Sequence, residues 1–397
     1  MRRFLNHAHH LIAIALLLVL VVSCSTMALK EDAAYTVNIL GLEPNISTTK
    51  HGNIRADVDC DTFLEESGLD FGDIVEISFL GQKLEVPVVP SYASVPAGQA
   101  GLALRKFENT EDPNDLLATF FINSGDFTTT YGIATKEVRE DKSWVWHACE
   151  GVSFPLCIEI RLVEKGGYLS NIALAQLSKT NERSDYPELD DREYANFRKI
   201  TTTGMGDCLY RSSSPINDEL GRNTYAMKAI EEVGVTVIVN VEEEKSKAHS
   251  RPAYANSYYS AQNVNYVLMT TNFMSSANDG AICESLRFMA NNPGIYLVHC
   301  KEGKDRTGFV CAILELLMGA GMDEVLDDYM ITYQNFFKVE KGTDQYKYIS
   351  NILRDELSAS GINDESKLQE QTEAYLQKIG LNSDEISALK NNLSVRI

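Results

Sequence analysis

The segment IYLVHCKEGKDRTGFVCAILELLMGAG, residues 295–321, constrains the fold more than any other part of the sequence. Its first six residues form a short apolar run typical of a buried strand, and residues 307–321 form an apolar stretch of helical length. A glycine-containing loop connects the two, from Cys300 to Arg306. A strand, a loop and a helix in this order bring loop N–H groups and the positive end of the helix dipole together, which favours anion binding.

This loop carries positive charge within an acidic chain. The 397 residues have a formal net charge of −20, whereas residues 299–308 carry three cations and two acids, a net of +1. An acidic surface repels a phosphodiester backbone, so the composition argues against nucleic-acid binding. The loop itself favours a small dianionic ligand such as a phosphoryl group.

Cys300 and Arg306 together suggest phosphoryl chemistry. A loop of this length can bring the Arg306 guanidinium beside the Cys300 sulfur, where its planar fork matches two phosphate oxygens. The same positive field favours the thiolate, which is the nucleophilic form of cysteine. The Cys-x5-Arg spacing occurs once in the chain. The loop can therefore both hold a phosphoryl group and attack it.

The stretch HCKEGKDRTG, residues 299–308, resembles the signature loop of the cysteine-dependent protein tyrosine/dual-specificity phosphatase superfamily. Its GKDRTG form is most similar to the bacterial tyrosine and phosphoinositide phosphatases of that superfamily. The resemblance covers about residues 198–397, because LYRSSSP (209–215) and AYLQKIGLNSDEISALKNNL (374–393) also resemble the bacterial group. No family is recognised in residues 30–165.

The resemblance implies roles for the residues of the loop. Cys300 would attack phosphorus to form a cysteinyl-phosphate, and Thr307 would hydrogen-bond the sulfur as it leaves. His299 would brace the loop from behind, and Arg211 would lie beside it. Neither a metal nor an organic cofactor would be required. The expected phosphate-binding residues are Lys301, Glu302, Gly303, Lys304 and Arg306, with the two lysines also suited to additional phosphates or an acidic substrate.

The general acid departs from the pattern of many relatives, which use an aspartate on a Trp-Pro-Asp loop. The only tryptophans here are Trp144 and Trp146, in the other half of the chain. Three candidates remain open. They are Asp305 inside the signature, Asp279 at the start of the preceding helix, and the acidic run Glu242–Glu244.

The second half of the chain reads as an α/β phosphatase domain over 198–397. A short strand ending in a polar turn is predicted over 208–215, with further strands at 235–241, 266–271 and 295–300. They alternate with helices at 216–234, 280–294 and 307–321. This alternation predicts a mostly parallel central sheet flanked by helices. A helical extension is expected to follow at 322–338, 343–358, 364–379 and 383–393, with Gly380 ending the third of these helices and NSDEI capping the fourth.

The first half reads as a β-rich domain over 29–177, of unknown role. Alternating apolar runs at 73–80, 83–89, 116–122 and 156–163 are separated by Gly, Asn, Asp and Pro, which is typical of strands and turns. The alternating pair Trp144 and Trp146 is expected either to pack a sheet face or to form a ligand platform. The polar segment 178–197 is interpreted as a linker or a surface segment between the domains.

The first 28 residues read as an export signal. Arg2 and Arg3 precede an apolar run over 11–22, which is shorter than a membrane-spanning helix, and Cys24 follows directly. This arrangement resembles the lipobox of bacterial lipoproteins, in which the cysteine becomes lipidated. An ordinary signal cleaved after Ala28 and an uncleaved anchor are the alternatives. The sequence therefore predicts a protein of the bacterial cell envelope, lipid-anchored or secreted.

Seven further cysteines lack the spacing of a zinc site. Cys149 and Cys157 flank a turn-like segment and could form a disulfide or remain two separate thiols. In an oxidising compartment, a reactive Cys300 could also be oxidised, and the possible resolving thiols are those of Cys208, Cys283 and Cys311.

Three functions follow from these features. The first is an exported phosphomonoester hydrolase acting on phosphotyrosine or another phosphoprotein through a cysteinyl-phosphate on Cys300. The second is a phosphoinositide or inositol-phosphate phosphatase, which the two loop lysines favour. The third is a non-catalytic envelope protein that binds phosphate or another ligand. Asp305 and Thr307 argue against the third, because a pure binder needs neither.

Overall fold

The computed structural model describes residues 34–104, 113–270 and 276–396. It divides into two compact units, one ending at Ala175 and the other beginning at Gln176. The predicted export signal, including the lipidation candidate Cys24, lies outside the described residues. In the part of the chain that is described, none of the helices combines the length and the apolar character needed to cross a bilayer.

The first unit is built mainly from β-strands. Its strands are β1 (Tyr35–Ile39), β2 (Ile54–Asp59), β3 (Ile74–Phe79), β4 (Gln82–Val89), β5 (Ala100–Ala103), β6 (Leu117–Ile122), β7 (Ala134–Val138), β8 (Trp144–Ala148) and β9 (Leu156–Glu164). Its helices are α1 (Cys60–Ser67), α2 (Phe127–Thr130) and α3 (Leu169–Ala175).

Seven of these strands form one sheet in the order β1-β9-β3-β4-β5-β6-β2. All neighbouring pairs are antiparallel except β4 and β5. In β9, Leu156, Ile158 and Ile160 are buried and alternate with exposed residues. This period of two places one face of the strand against the core, which is why the alternating runs predicted strands.

The two tryptophans lie on β8, which pairs with β7 in a separate two-stranded ribbon. Trp146 is buried and Trp144 is half-buried, so at least one ring packs inside the unit. The Lys136 ammonium lies 5.7 Å from the Trp144 ring centre and 5.8 Å from that of Trp146. Cys149 and Cys157 are both free thiols, so the disulfide alternative is not the one that the structure adopts.

The second unit alternates short strands with helices. Its strands are β10 (Arg198–Lys199), β11 (Leu209–Ser212), β12 (Val237–Asn240), β13 (Asn263–Tyr266) and β14 (Tyr296–His299). Its helices are α4 (Asp191–Tyr194), α5 (Asn223–Val233), α6 (Lys245–His249), α7 (Asp279–Asn291), α8 (Asp305–Met318), α9 (Met322–Phe337), α10 (Asp344–Ala359), α11 (Leu368–Ile379) and α12 (Ser383–Leu393).

The strands of this unit form one sheet in the order β10-β11-β14-β12-β13. The pairings of β14 with β11 and β12, and of β12 with β13, are parallel, and only the two-residue β10 pairs antiparallel. Every residue of β14 is buried, as expected for an interior strand of a parallel sheet. Its carboxyl end therefore lies at the middle of the sheet edge, where ligand sites of α/β folds occur.

The C-terminal helices lie close to their predicted positions. Gly380 ends α11 with a φ of +116°, a conformation that glycine adopts without a steric penalty. Asn382 then caps α12, because its side chain accepts from the Glu385 amide while the Glu385 carboxylate accepts from the Asn382 amide. Both local signals that the sequence carries are confirmed.

Two predicted positions differ from the structure. The strand expected at 266–271 lies at 263–266, although Val267 and Met269 still donate hydrogen bonds to β12 or the residue after it. The supposed linker 178–197 belongs to the second unit, where Tyr186 and Tyr194 are buried in a cluster with Phe336. Its sparse aromatic residues supply a packing face that the many charged residues around them obscure in the sequence.

Candidate active site

The signature loop begins directly after the central strand. β14 ends at His299, Cys300 is the next residue, and α8 begins at Asp305. Cys300 is buried, yet it lines a cavity of about 220 Å³. The residues that line this cavity are Cys300, Lys301, Glu302, Lys304, Asp305 and Arg306. The structure therefore gathers most of the predicted loop residues around one space.

The carbonyl oxygens of the loop are held by the surrounding scaffold. The Ser214 amide donates to the Lys301 carbonyl at 3.2 Å. The Asn196 side-chain amide donates to the carbonyls of Glu302 and Gly303, each at 3.0 Å. Arg211 donates to the carbonyls of Gly303 and Lys304 at 2.9 and 3.2 Å, as its predicted position beside the loop requires.

These contacts fix the direction of the loop amides. Within a planar trans peptide, the carbonyl of one residue and the N–H of the next point in opposite directions. Because the carbonyls of residues 301–304 point outward to the scaffold, the N–H groups of residues 302–305 point to the other side. Several amides directed into one concavity form a nest that binds an anion, and the first turn of α8 adds its dipole.

Gly303 can only be glycine in this loop. Its φ is +70°, and a Cβ at this position would lie 2.2 Å from the Ser212 carbonyl oxygen. Gly308 allows a second close approach, because a Cβ there would lie 2.6 Å from the Tyr329 ring. Both glycines therefore let the loop and α8 pack directly against neighbouring elements.

Arg306 is anchored by backbone oxygens at the edge of the sheet. Its Nη1 atom donates to the carbonyls of Val241, Glu242 and Met269 at 3.3–3.4 Å. The side chain also lines the cavity with Cys300. With Nη1 engaged by the scaffold, the opposite edge of the planar guanidinium is available to bind two oxygens of a phosphoryl group.

His299 is buried behind the loop. Its Nε2 atom and the Tyr259 hydroxyl share a hydrogen bond of 2.9 Å. Burial, together with the positive charge of Arg306, lowers the pKa of His299 to about 3, so the ring is neutral at physiological pH. A neutral, enclosed imidazole suits a bracing role better than proton transfer. The Thr307 hydroxyl is buried in the first turn of α8 and has no hydrogen-bond partner in the described ranges.

Asp305 is the only one of the three candidate general acids that lines the cavity. Its Oδ1 atom accepts hydrogen bonds from the hydroxyls of Tyr329 at 3.2 Å and Tyr333 at 2.9 Å. The Lys304 ammonium lies 3.4 Å from its other oxygen. These contacts fix the orientation of the carboxyl group while leaving it at the cavity wall.

Asp279 contacts the C-terminal helices instead. The Tyr375 hydroxyl of α11 donates to its Oδ1 atom at 2.9 Å. Burial, assisted by the nearby charge of Asp279, raises the pKa of Glu356 on α10 to about 7. The structure therefore places Asp279 in a polar contact among α7, α10 and α11 and not among the residues that line the cavity.

The acidic run after β12 lies at the edge of the sheet beside Arg306. Glu242 is buried, accepts from the Asn217 amide at 2.5 Å, and has its pKa raised by that burial. Glu243 forms an ion pair with Arg251 at 2.8 Å. These contacts give Glu242 and Glu243 partners in the scaffold.

The acids and lysines at the rim of the cavity form ion pairs. Lys301 lies 2.5 Å from Glu219, whose pKa falls to about 2 because it accepts hydrogen bonds from Arg251 and Lys301. Glu302 lies 2.5 Å from Lys179. Burial acts to raise the pKa of Glu302, but this ion pair lowers it, so the carboxylate remains charged.

Lys304 lies over two aromatic rings of α9. Its ammonium is 5.1 Å from the centre of the Tyr333 ring and 5.2 Å from that of Phe337. Cation–π contact of this kind holds a lysine near a surface without neutralising its charge. The cavity thus keeps positive charge from both Lys304 and Arg306 on its wall.

Several residues of this site have no motif in the sequence. Asn196, Asp328, Tyr329 and Tyr333 contact the loop or the residues that hold it, and they lie in the supposed linker and in α9. The available signal in α9 is the spacing of DYMITY, which places polar and aromatic residues on one helical face.

A family comparison decides the identity of this unit. The family model described as the tyrosine phosphatase family matches residues 186–395. The chain belongs to the tyrosine phosphatase family. Its predicted membership of the cysteine-dependent superfamily is therefore confirmed, and the predicted enzyme class, phosphoric monoester hydrolase, is that of the family. The match includes the loop, its strand and all helices from α4 to α12.

Solved structures similar to this tyrosine phosphatase family member are distant. A variant of TpbA from P. aeruginosa in complex with phosphotyrosine shares 15% identity over 54% of this chain and 99% of its own, with a TM-score of 0.26. The catalytic domain of the PP-IP phosphatase SIW14 from S. cerevisiae, in complex with citrate, shares 17% over 42% and 93%, with a TM-score of 0.26.

An uncharacterized conserved protein of Thermotoga maritima shares 16% identity over 32% of this chain, with a TM-score of 0.21. The chain spans about a third of that protein, since the match covers 35% of its length. No curated protein matches the sequence.

Proposed function

We propose that the second unit hydrolyses phosphate monoesters, as a protein tyrosine or dual-specificity phosphatase, through a cysteinyl-phosphate on Cys300. The observation that carries this proposal is the outward orientation of the carbonyls of residues 301–304, which directs the loop amides to the cavity that Cys300 and Arg306 line. Such a site presents donors where the charge of the transferring phosphoryl group develops.

In the first step, the Cys300 thiolate attacks phosphorus and the bond between phosphorus and the leaving oxygen breaks. Arg306 and the loop amides bind the three non-bridging oxygens, and Asp305 gives a proton to the leaving oxygen. The products of this step are the free alcohol or phenol and the cysteinyl-phosphate.

In the second step, water attacks the phosphorus of the intermediate and the sulfur–phosphorus bond breaks. Asp305, now a carboxylate, accepts a proton from the water, and inorganic phosphate leaves. The electron pair of the broken bond returns to the Cys300 sulfur as a thiolate. The Thr307 hydroxyl lies in the first turn of α8 and has no hydrogen-bond partner among the described residues, so it is the donor that would stabilise this thiolate.

A phosphoinositide or an inositol phosphate is the second candidate substrate. The feature that favours it is the presence of two lysines at the rim of the cavity, Lys301 and Lys304, which form ion pairs with Glu219 and Asp305. Additional phosphates on a substrate would interact with such a rim. A phosphotyrosine peptide requires only the central anion site.

We also propose that the protein acts at the bacterial cell envelope, as a lipoprotein anchored through Cys24 or as a secreted protein. The support is the order of charged residues, apolar run and cysteine over the first 28 residues. The substrate would then be an exported or extracellular phosphorylated molecule. A non-catalytic envelope protein that merely binds phosphate is the competing function.

The proposal is tested with the mature chain, an aryl phosphate and no added metal, at several pH values. We expect turnover in the wild type, and a loss of about a thousandfold or more in the Cys300→Ser variant, because the nucleophile is removed. The variant should still bind inorganic phosphate, since Arg306 and the loop amides remain.

Two comparisons complete this test. A phosphotyrosine peptide and inositol phosphates, assayed side by side, separate the two substrate classes. A folded, reduced wild-type protein that binds phosphate but turns over none of these substrates would favour the non-catalytic function instead.

A further inference from the structure

One face of α9 contacts the residues that hold the signature loop. Asp328, Tyr329, Thr332 and Tyr333 occupy positions i, i+1, i+4 and i+5, which share one side of a helix. All four are buried. The two tyrosines bind Asp305 of the loop, whereas Asp328 and Thr332 reach the loop through other residues.

Asp328 connects to the loop carbonyls by two routes. It accepts from Arg211 Nη1 at 2.6 Å, and Arg211 donates in turn to the carbonyls of Gly303 and Lys304. It also accepts from Arg198 Nε at 2.9 Å, and Arg198 Nη1 donates to the Asn196 side-chain oxygen at 2.6 Å. The Asn196 amide nitrogen then donates to loop carbonyls, so both routes end on the same loop.

Thr332 supports the second route. Its hydroxyl donates to the Asn196 side-chain oxygen at 3.1 Å. With that oxygen accepting from both Thr332 and Arg198, the amide nitrogen of Asn196 must face the carbonyls of Glu302 and Gly303. Through Thr332, α9 therefore helps to determine that the nitrogen of the Asn196 side chain, and not its oxygen, faces the loop carbonyls.

Asp328 supplies the negative charge that pairs with the two arginines of this cluster. Arg211 is completely buried and Arg198 is partly buried, and both guanidinium groups form ion pairs with the Asp328 carboxylate. Burial alone would raise the pKa of Asp328, but the two guanidinium groups hold it low and keep the carboxylate ionised. Burial raises the pKa of Glu315 of α8, another acid near the two arginines, well above its usual range.

We propose that Asp328 is a positioning residue for phosphate binding, which fixes the loop amides in their inward orientation through Arg211 and through the pair Arg198 and Asn196. This inference rests on the proposed function of the loop. It predicts that removing the charge of Asp328 weakens phosphate binding although Asp328 lies outside the residues that line the cavity.

The test compares the variants Asp328→Asn and Asp327→Asn in the full chain. Asp327 is the adjacent residue of α9, but its carboxylate binds Lys341 at 2.6 Å and Tyr346 at 2.7 Å, away from the loop. The two variants remove the same charge from the same helix. Thr332→Val is a third variant that breaks only the hydrogen bond to Asn196 and keeps the side-chain volume.

Two measurements report on phosphate binding at the loop. The first is the inhibition constant of inorganic phosphate against an aryl phosphate substrate. The second is protection of Cys300 by inorganic phosphate against alkylation with iodoacetate, followed on the Cys300 peptide by mass spectrometry because the exposed thiol of Cys157 reacts as well. The second measurement needs no turnover, so it tests the positioning role even if the wild type proves inactive and the proposed function fails.

We expect Asp328→Asn to raise the inhibition constant of phosphate and the phosphate concentration that half-protects Cys300 by about tenfold or more. KM for the aryl phosphate should rise by a similar factor. Asp327→Asn should leave all three quantities within about twofold of wild type. Thr332→Val should shift them in the same direction by a smaller factor. Folding is checked by circular dichroism. If Asp328→Asn fails to fold, Thr332→Val carries the test. Phosphate constants equal to wild type in a folded Asp328→Asn or Thr332→Val protein would overturn the proposal.

Discussion

Gly303 is the residue with the least freedom in the signature loop. Its positive φ and the 2.2 Å approach of the Ser212 carbonyl to a hypothetical Cβ leave no space for a side chain. A methyl group there would force either the loop or β11 to shift, and the Arg211 and Asn196 hydrogen bonds to the Gly303 carbonyl would lengthen. The stability of the unit and the proposed phosphate binding therefore both depend on the absence of a side chain at residue 303.

The Gly303→Ala variant should lose about 1–3 kcal/mol of unfolding free energy and bind inorganic phosphate more weakly, because of this strain and clash. Chemical denaturation and phosphate inhibition measure the two effects. Gly280→Ala is the matched control, since a Cβ at Gly280 in α7 meets no atom of the described residues within 4 Å. We expect the control to be as stable as wild type or slightly more stable. Similar losses in both variants would contradict the steric argument.

Asp305 has two roles that can be separated by experiment. It is the proposed proton donor, and it anchors the loop through hydrogen bonds from Tyr329 and Tyr333. If it donates a proton to the leaving oxygen, then Asp305→Asn should lower kcat for phenyl phosphate more than for nitrophenyl phosphate, whose leaving group needs no proton. The expected difference between the two losses is about tenfold or more. Tyr333→Phe removes one hydrogen bond to Asp305 but keeps the carboxyl group, and it should affect both substrates equally. Equal losses in Asp305→Asn would assign Asp305 a tethering role only.

Among the helices, the contact of α7, α10 and α11 is a pH-sensitive part of the second unit. The pKa of Glu356 is about 7 in the folded protein, above its usual value of 4.5, owing first to burial and then to Asp279. A group whose pKa is raised by folding contributes stability below its unfolded pKa. That contribution is lost as the pH rises from about 4.5 through about 7.

Glu356→Gln imitates the protonated side chain, so it should raise the unfolding free energy by about 1–3 kcal/mol at pH 8 and change it little at pH 4.5. Circular dichroism of the helices is the suitable probe, because both tryptophans lie in the first unit. Glu370→Gln, an exposed substitution on α11, should have little effect at either pH. A stability gain that is the same at both pH values would refute the assigned titration.

Elements with a strong local period were predictable from the sequence, and elements defined by tertiary contacts were not. The helices α9 to α12 and the strands β3, β4, β6 and β9 have apolar repeats that match their positions. β13 has the polar sequence NVNY, and its strand geometry comes from pairing with β12. For this reason the sequence predicts the strand at the apolar residues immediately after β13.

The same distinction holds within the site. Cys300, Arg306 and their flanking residues are contiguous, so their spacing predicted a phosphate loop. Asn196 lies 104 residues before Cys300 and Asp328 lies 22 residues after Arg306, and no spacing rule links them to the loop. Tertiary hydrogen bonds select them, and such bonds leave no periodic pattern in a single sequence.

At the scale of the whole molecule, the family match and the catalytic unit have different starting points. The match begins at residue 186, whereas the unit begins at Gln176 and includes Lys179. Because Lys179 forms the ion pair with Glu302, the segment before the matched region contributes directly to the signature loop. A protein shortened to the matched region would leave this carboxylate beside the phosphate site without its partner.

The hydrogen bonds between the scaffold and the loop carbonyls also determine at which step the loop loses conformational entropy. Every peptide from 301 to 304 already has a hydrogen-bond donor in the scaffold, so the loop loses its conformational entropy during folding and not during ligand binding. A phosphoryl group bound as proposed would thus enter a preorganised site. Rapid association without a slow ordering phase, and the same loop conformation before and after each turnover, are the kinetic signature of such a design.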